Sequence, residues 1–356
     1  MAQQKRKINK NIIWSLISVL LAVLTIRIVL KQNSEMSLEE LIDVVGSSNK
    51  LFMLAALFSA SLYVIFEALA INLIIKRAGY GKKHLNSLIY STADVYFSAI
   101  TPSSTGGQPA SIFFMMMDGI SGGIATASLL LNLIMYNLSV VALGIISIII
   151  EPAAYEAFET FSKVLIIVGF VALSLLSLLS LMLLKNDSMI FRPLKALTDW
   201  LYKKRIIRQK EGRIAKLEKM RNDYRKCSDI ISNSKRILLY TFLLNLIQRA
   251  SQIIVPVLVY CSLGGKSSLM PSVFAKQCLI TIGYNYVPVP GGMGISDYLM
   301  IDGFTDVMGE TMAFSVELIS RGITFYICVA VSGLITLAWY CVKRRSSERV
   351  QKEDAK

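Results

Sequence analysis

Six ionisable side chains fall inside or beside apolar stretches of the sequence: Glu67, Asp94, Arg249, Asp297, Glu317 and Arg321. Charge at membrane depth is expensive, so such residues mark cavities or internal partners. Acids suit an ammonium group, and arginines suit a phosphate, which a guanidinium grips with two parallel N–H donors. Together they describe a polar cavity carrying both signs, matched to a zwitterionic or aminoacylated phospholipid headgroup. Glu317 and Arg321 lie four apart on one helix face, where they can also neutralise each other as a helix-gluing ion pair. Asn132 and Tyr136 add polar groups to an otherwise apolar run.

Other chemistries lack their residues. One histidine, His84, excludes a histidine metal cluster, and the five cysteines are scattered without a C-x-x-C pair. No phosphate-binding G-x-x-x-x-G-K-[ST] loop occurs. The G-x-S-x-G string Gly119 to Gly123 has no histidine after it and no strand–turn–helix context, and reads as chance. No catalytic group, metal or cofactor is therefore expected.

The elements that must position these residues are membrane helices. Of the 356 residues, 54% are hydrophobic and 17% charged, below the roughly 25% charge of soluble domains. Six apolar runs are long enough to span: 12–30, 51–75, 122–150, 163–184, 236–262 and 312–342. The first follows a basic stretch and is too long for a signal peptide, so it reads as a retained helix. The net charge of +14 does not indicate nucleic acid, because it sits in loops. Segment 185–235 and its flank at Arg236 hold 16 Lys/Arg against 6 Asp/Glu. By the positive-inside rule this segment, tail 1–11 and tail 343–356 are cytoplasmic, and the acidic loops 32–49 and 151–162 face outward. Within the basic segment Ile190, Phe191, Leu194, Leu197 and Leu201 recur at helical spacing. They predict an interfacial helix whose Lys203, Lys204, Arg205, Arg208 and Lys210 meet anionic lipid headgroups.

Two stretches remain, about 85–121 and 268–311, in halves 12–184 and 236–342. Charge parity requires each to enter and leave on one side, from opposite faces. Both are interrupted by Gly and Pro, which predicts two oppositely oriented re-entrant hairpins. The first break carries Thr101, Pro102, Ser103, Ser104, Thr105, Gly106, Gly107 and Gln108; the second carries Pro288, Pro290, Gly291, Gly292, Gly294 and Ser296. An offset of 185 superposes Gly106 and Gly107 on Gly291 and Gly292, Ser111 on Ser296, Asn132 on Glu317 and Tyr136 on Arg321. Inverted repeats with matched interruptions point to a transport site near the midplane. The breaks also offer free N–H groups ahead of helices, the first beginning near Ala110, as anion sites.

These two Gly/Pro motifs resemble those of the lysylphosphatidylglycerol synthase (multiple peptide resistance factor) family, specifically its transmembrane flippase-like domain, over roughly residues 10–345. The resemblance implies an all-α polytopic protein of a bacterial plasma membrane that flips aminoacylated phosphatidylglycerol between leaflets, a process that protects against cationic peptides. In that family a separate cytoplasmic domain synthesises the lipid. Only 14 residues follow Val342, so the translocating half alone is expected, without lysyltransferase activity of its own. A separate synthase or a second copy of the chain is an implied partner. Alternatives are a carrier of a polyprenyl-linked lipid, a secondary transporter of a small solute, or a membrane partner of the synthase.

Overall fold

The computed structural model describes residues 38–80, 84–101, 105–204, 210–287, 289, 292 and 294–353. The predicted span 12–30 and motif residues Pro102, Ser104, Pro288, Pro290 and Gly291 lie outside them. Every regular element among the described residues is helical: α1 Leu38–Ser47, α2 Lys50–Ile75, α3 His84–Ile100, α4 Gly107–Met117, α5 Gly122–Ile150, α6 Thr160–Lys185, α7 Ser188–Lys203, α8 Lys210–Ser232, α9 Lys235–Ser262, α10 Met270–Asn285, α11 Ile295–Met308, α12 Glu310–Arg321 and α13 Cys328–Glu353. Five helices are long and apolar enough to cross a bilayer: Lys50–Tyr80, Gly122–Ile150, Thr160–Lys185, Lys235–Ser262 and Glu310–Lys343. The chain is a multi-pass, all-α membrane protein. The last of these helices contains a π-helical turn at Gly322–Ile327, which the apolar pattern does not reveal.

The stretches broken by Gly and Pro form helical hairpins, α3 against α4 and α10 against α11. The four helices have 17, 11, 16 and 14 residues. At about 1.5 Å per residue none reaches the roughly 30 Å of a hydrocarbon core. Helix α4 begins at Gly107 rather than near Ala110, because a proline in the first turn, Pro109, needs no helical N–H partner. Thr101 closes the end of α3, its Oγ1 donating to the Phe97 carbonyl at 2.7 Å and accepting the Gly106 N–H at 2.8 Å.

Most buried apolar side chains gather in two large cores at opposite ends of the bundle, with a small third cluster of Leu143, Ile253 and Cys278. Ala56 and Ala60 of α2 join Phe158, Tyr260, Leu299 and Phe304 around the second hairpin. Ile71 and Ile74, farther along α2, join Tyr90, Phe114, Met115 and Tyr224 around the first. Helix boundaries follow the 185-residue shift: α2 starts at 50 and α9 at 235, while α3 ends at 100 and α10 at 285. Packing is reciprocal as well. Helix α3 packs on α13 and α10 packs on α5, so each hairpin lies against the long helix that follows the other hairpin. Buried Lys276 pairs with Asp306 and ties the two arms of the second hairpin, an ion pair that the sequence reading does not contain.

The basic segment forms two helices rather than one. Helix α7 leaves Leu194, Leu197 and Trp200 exposed and buries Phe191 against Tyr224 of α8. Helix α8 folds back onto α5, where Gly122 and Gly123 let Met220 come close and Ser121 donates to Asp223 at 2.6 Å. Asp187, between α6 and α7, pairs with Arg221 and Arg225 of α8. Burial pushes its carboxyl up, but the two arginines outweigh this and hold it below the usual carboxylate range. A depressed carboxyl stabilises the fold above its unfolded pKa, and that contribution disappears as pH falls through its folded value. Asp187→Asn is therefore expected to speed hydrogen exchange over 210–232 at neutral pH. The difference from wild type should vanish in acid, well below the ordinary carboxylate pKa of about 4. Equal exchange at neutral pH would show that these ion pairs do not hold α8.

Candidate functional site

Between the two cores lies a cavity of about 320 Å³, within the 300–1,000 Å³ of typical ligand sites. Polar residues four apart on one face of each helix build its wall: Tyr63 and Glu67 on α2, Asp94 and Ser98 on α3, Asn132 and Tyr136 on α5, and Gln277, Thr281 and Asn285 on α10. Arg249 and Gln252 of α9 and Ser320, Arg321 and Thr324 of the last span complete it. Both hairpin breaks reach it, the first through Gln108 and the second through Val287, Val289, Gly292 and Ser296. Gly292 has φ of 65° with its α-carbon against the Tyr284 ring, a combination that only glycine accommodates easily.

Arg249 is buried half-way along α9. It donates from Nη1 to Gln252 Oε1 at 2.5 Å and from Nη2 to the Tyr63 hydroxyl at 3.4 Å. Its guanidinium carbon lies 3.7 Å from the centre of the Tyr136 ring. The Tyr136 hydroxyl donates to Asn285 Oδ1 at 2.9 Å, which ties α5 to the tip of the second hairpin. Glu67 accepts from Ser91 at 3.0 Å, and its carboxyl group lies beside that of Asp94. Across the cavity Arg321 Nε closes an ion pair with Asp297 Oδ1 at 2.9 Å, and the Glu317 carboxyl lies beside both.

Residues 12–332 match the family model for the lysylphosphatidylglycerol synthase TM region. The chain belongs to this family. It is also similar to UPF0104 membrane protein PH1989 of Pyrococcus horikoshii, 22% identical over 315 residues that cover 84% of this chain and 90% of that protein. No solved structure matches. Membership supports a membrane-embedded, lipid-related role for this chain.

Of the sequence-predicted site residues of this family member, Glu67, Asp94, Gln108, Asn132, Tyr136, Arg249, Gly292, Ser296 and Arg321 line this cavity. Asp297 and Glu317 stand behind Arg321. Thr101, Thr105, Gly106, Gly107 and Gly294 are outside the wall and shape the hairpins. Gly107 lets the start of α4 close onto Asp94 and Ser98. The expected anion site at the start of α11 is occupied by the chain itself: Asp297 accepts the Gly294 N–H at 2.9 Å and the Ser296 hydroxyl at 2.9 Å. An acid in the first turn, here the third helical residue, is what a helix dipole favours there. Sequence reading missed Tyr63, Ser98, Asn137, Gln277, Thr281, Asn285, Ser320 and Thr324. The signal for several was present as i, i+4 polar pairs within apolar runs, 277–281–285 above all.

Proposed function

We propose that this chain moves a headgroup-modified phospholipid, with aminoacylated phosphatidylglycerol as the leading substrate, between the leaflets of a bacterial plasma membrane. The headgroup passes through the cavity, and the acyl chains stay in lipid. The observation that carries this reading is the meeting of two interrupted hairpins, buried arginine and buried carboxyl groups in one cavity half-way along the long helices. Non-helical backbone at membrane depth is stable only inside protein or beside water, and the cavity contacts of Gln108, Val287, Val289 and Gly292 support such a setting for the breaks. The hairpins then act as oppositely oriented re-entrant elements of two inverted halves. The shared helix boundaries, the reciprocal packing and the two end-to-end cores support that symmetry. Transport sites of inverted-repeat carriers sit at such interfaces. Cytoplasmic α7 lies along the inner leaflet, with Leu194, Leu197 and Trp200 in the acyl boundary and neighbouring lysines against anionic headgroups.

The test is a phosphatidylglycerol analogue with a photoreactive group in its headgroup, activated in membranes that contain the protein. Cross-links mapped by mass spectrometry should fall on cavity residues such as Gln252 and Thr324. Cross-links confined to the outer faces of α2 and α6 would contradict passage through the interior.

A further inference from the structure

The cavity's two arginines are not equivalent. Arg321 is neutralised by Asp297 at 2.9 Å. Arg249 has no carboxylate within 4.0 Å among the described residues, and its Nε has no hydrogen-bond partner among them. Yet Arg249 is only 4% exposed. Glu67 and Asp94 act on it only from beyond contact distance, and a buried charge without a contact ion pair is retained against a steep desolvation cost. Three more cavity-lining groups are also buried and unpartnered among the described residues: Asn137 Nδ2, Ser320 Oγ and Gln277 Oε1. Asn137 and Ser320 are each 1% exposed. Native proteins leave few such groups, and each calls for an explanation. Here they converge on one space and include two N–H donors and a hydroxyl.

We infer that Arg249, assisted by the Asn137 amide, is the anchor for a monoanionic phosphate group. The inference rests on the proposed reading that headgroups enter this cavity, and it assigns the end of the headgroup that each wall receives. A phosphodiester offers several acceptor oxygens in a compact tetrahedron, which suit a guanidinium edge together with an amide and a hydroxyl. Its single negative charge balances a single arginine. Tyr136 covers one face of the guanidinium and Tyr63 and Gln252 each take one N–H of an Nη group, so the Nε N–H and the second N–H of each Nη are left for the ligand. Glu67 lies one helical turn from Tyr63 on α2, and its carboxyl group, beside that of Asp94, supplies acceptors for an ammonium. The cavity thus has a phosphate pole at α9 and an ammonium pole at α2 and α3.

The phosphate could come from a lipid headgroup or from free phosphate, and a binding assay on the purified full chain in detergent separates them. Native mass spectrometry would follow dioctanoyl phosphatidylglycerol, inorganic phosphate as competitor, and dioctanoylglycerol, which lacks the phosphate. Arg249→Gln is expected to weaken phosphatidylglycerol binding at least 10-fold and to leave dioctanoylglycerol unchanged. Arg249→Lys should restore part of the loss, since it keeps the charge without the fork. If Arg249→Gln does not elute as a folded species, Asn137→Leu replaces it, with an expected 3- to 10-fold loss. Competition by inorganic phosphate in wild type would mean that the anchor accepts the group from either source, and no competition would assign it to lipid. Wild-type affinity for phosphatidylglycerol in Arg249→Gln and Asn137→Leu overturns the assignment. Lipid bound through Arg249 but never moved across liposomes refutes translocation and keeps the anchor. Lipid moved with Arg249→Gln binding unchanged refutes the anchor alone.

Discussion

Arg321→Ala is expected to slow lipid movement in liposomes about 30-fold. Arg321 is the cation of a three-membered network in which Asp297 and Glu317 are the acids. Removing it leaves two neighbouring carboxyl groups with no arginine between them, one at the start of α11 and one on α12. Truncating one partner of a buried, hydrogen-bonded charge pair costs about 2–5 kcal/mol, and with Arg321 buried but the Asp297 side chain 35% exposed the low end applies, about 2 kcal/mol or roughly 30-fold. The loss falls where the second hairpin meets the last span, so α11 should separate from α12. The double variant Asp297→Asn/Arg321→Gln removes the charge imbalance. It is expected to recover thermal stability, measured by size exclusion after heating, without recovering movement. A wild-type rate in Arg321→Ala would remove this network from the transport site.

The second large effect is steric. Ile282 of α10 is wedged between Gly144 of α5 and Gly169 of α6. A β-carbon on Gly169 would overlap the Ile282 carbonyl oxygen and approach its carbonyl carbon to 2.9 Å. These are backbone atoms in a helix and cannot rotate away. Close approach over small residues is how membrane helices gain packing energy without a hydrophobic driving force. Gly169→Leu is therefore expected to unseat the second hairpin and to cost about 3 kcal/mol or more, read as a lower melting temperature and loss of the monodisperse peak. Gly212, near the start of α8, faces open space, with nothing within 4 Å of where a β-carbon would stand. Gly212→Ala should instead stabilise by about 0.5–1 kcal/mol through helix propensity. A Gly169→Leu protein that melts like wild type would mean that α6 and α10 do not pack as described.

Much of this architecture was legible in the sequence, because membrane helices announce themselves by length and apolarity. Five of the six predicted spans coincide with long apolar helices, and the first lies outside the described residues. The hairpins were legible because Gly and Pro must interrupt an apolar run where helix stops. Their caps were not: Thr101 closing α3 and Asp297 occupying the start of α11 depend on side-chain geometry that spacing does not encode. The six charged residues were found because charge in an apolar run is conspicuous. Asn137, Gln277 and Ser320 were not, since uncharged polar residues also serve as ordinary helix-packing contacts. The partners of the arginines were equally hidden. Four-residue spacing offers Glu317 to Arg321, whereas the fold brings Asp297 from a different helix. The return of α8 onto Gly122 and Gly123 was obscured by the charge of the basic segment, where only residues 190–201 show an apolar face in the sequence.

The central claim is that this chain alone carries a phospholipid headgroup across a bilayer. The most direct measurement uses the purified protein in liposomes with trace headgroup-labelled phosphatidylglycerol or its lysyl derivative, to which a membrane-impermeant quencher is added. Signal should fall beyond the outer-leaflet half toward complete loss, faster for the substrate the cavity prefers. Signal that stops at half for both lipids, with protein that elutes as a folded species, would contradict translocation by this chain.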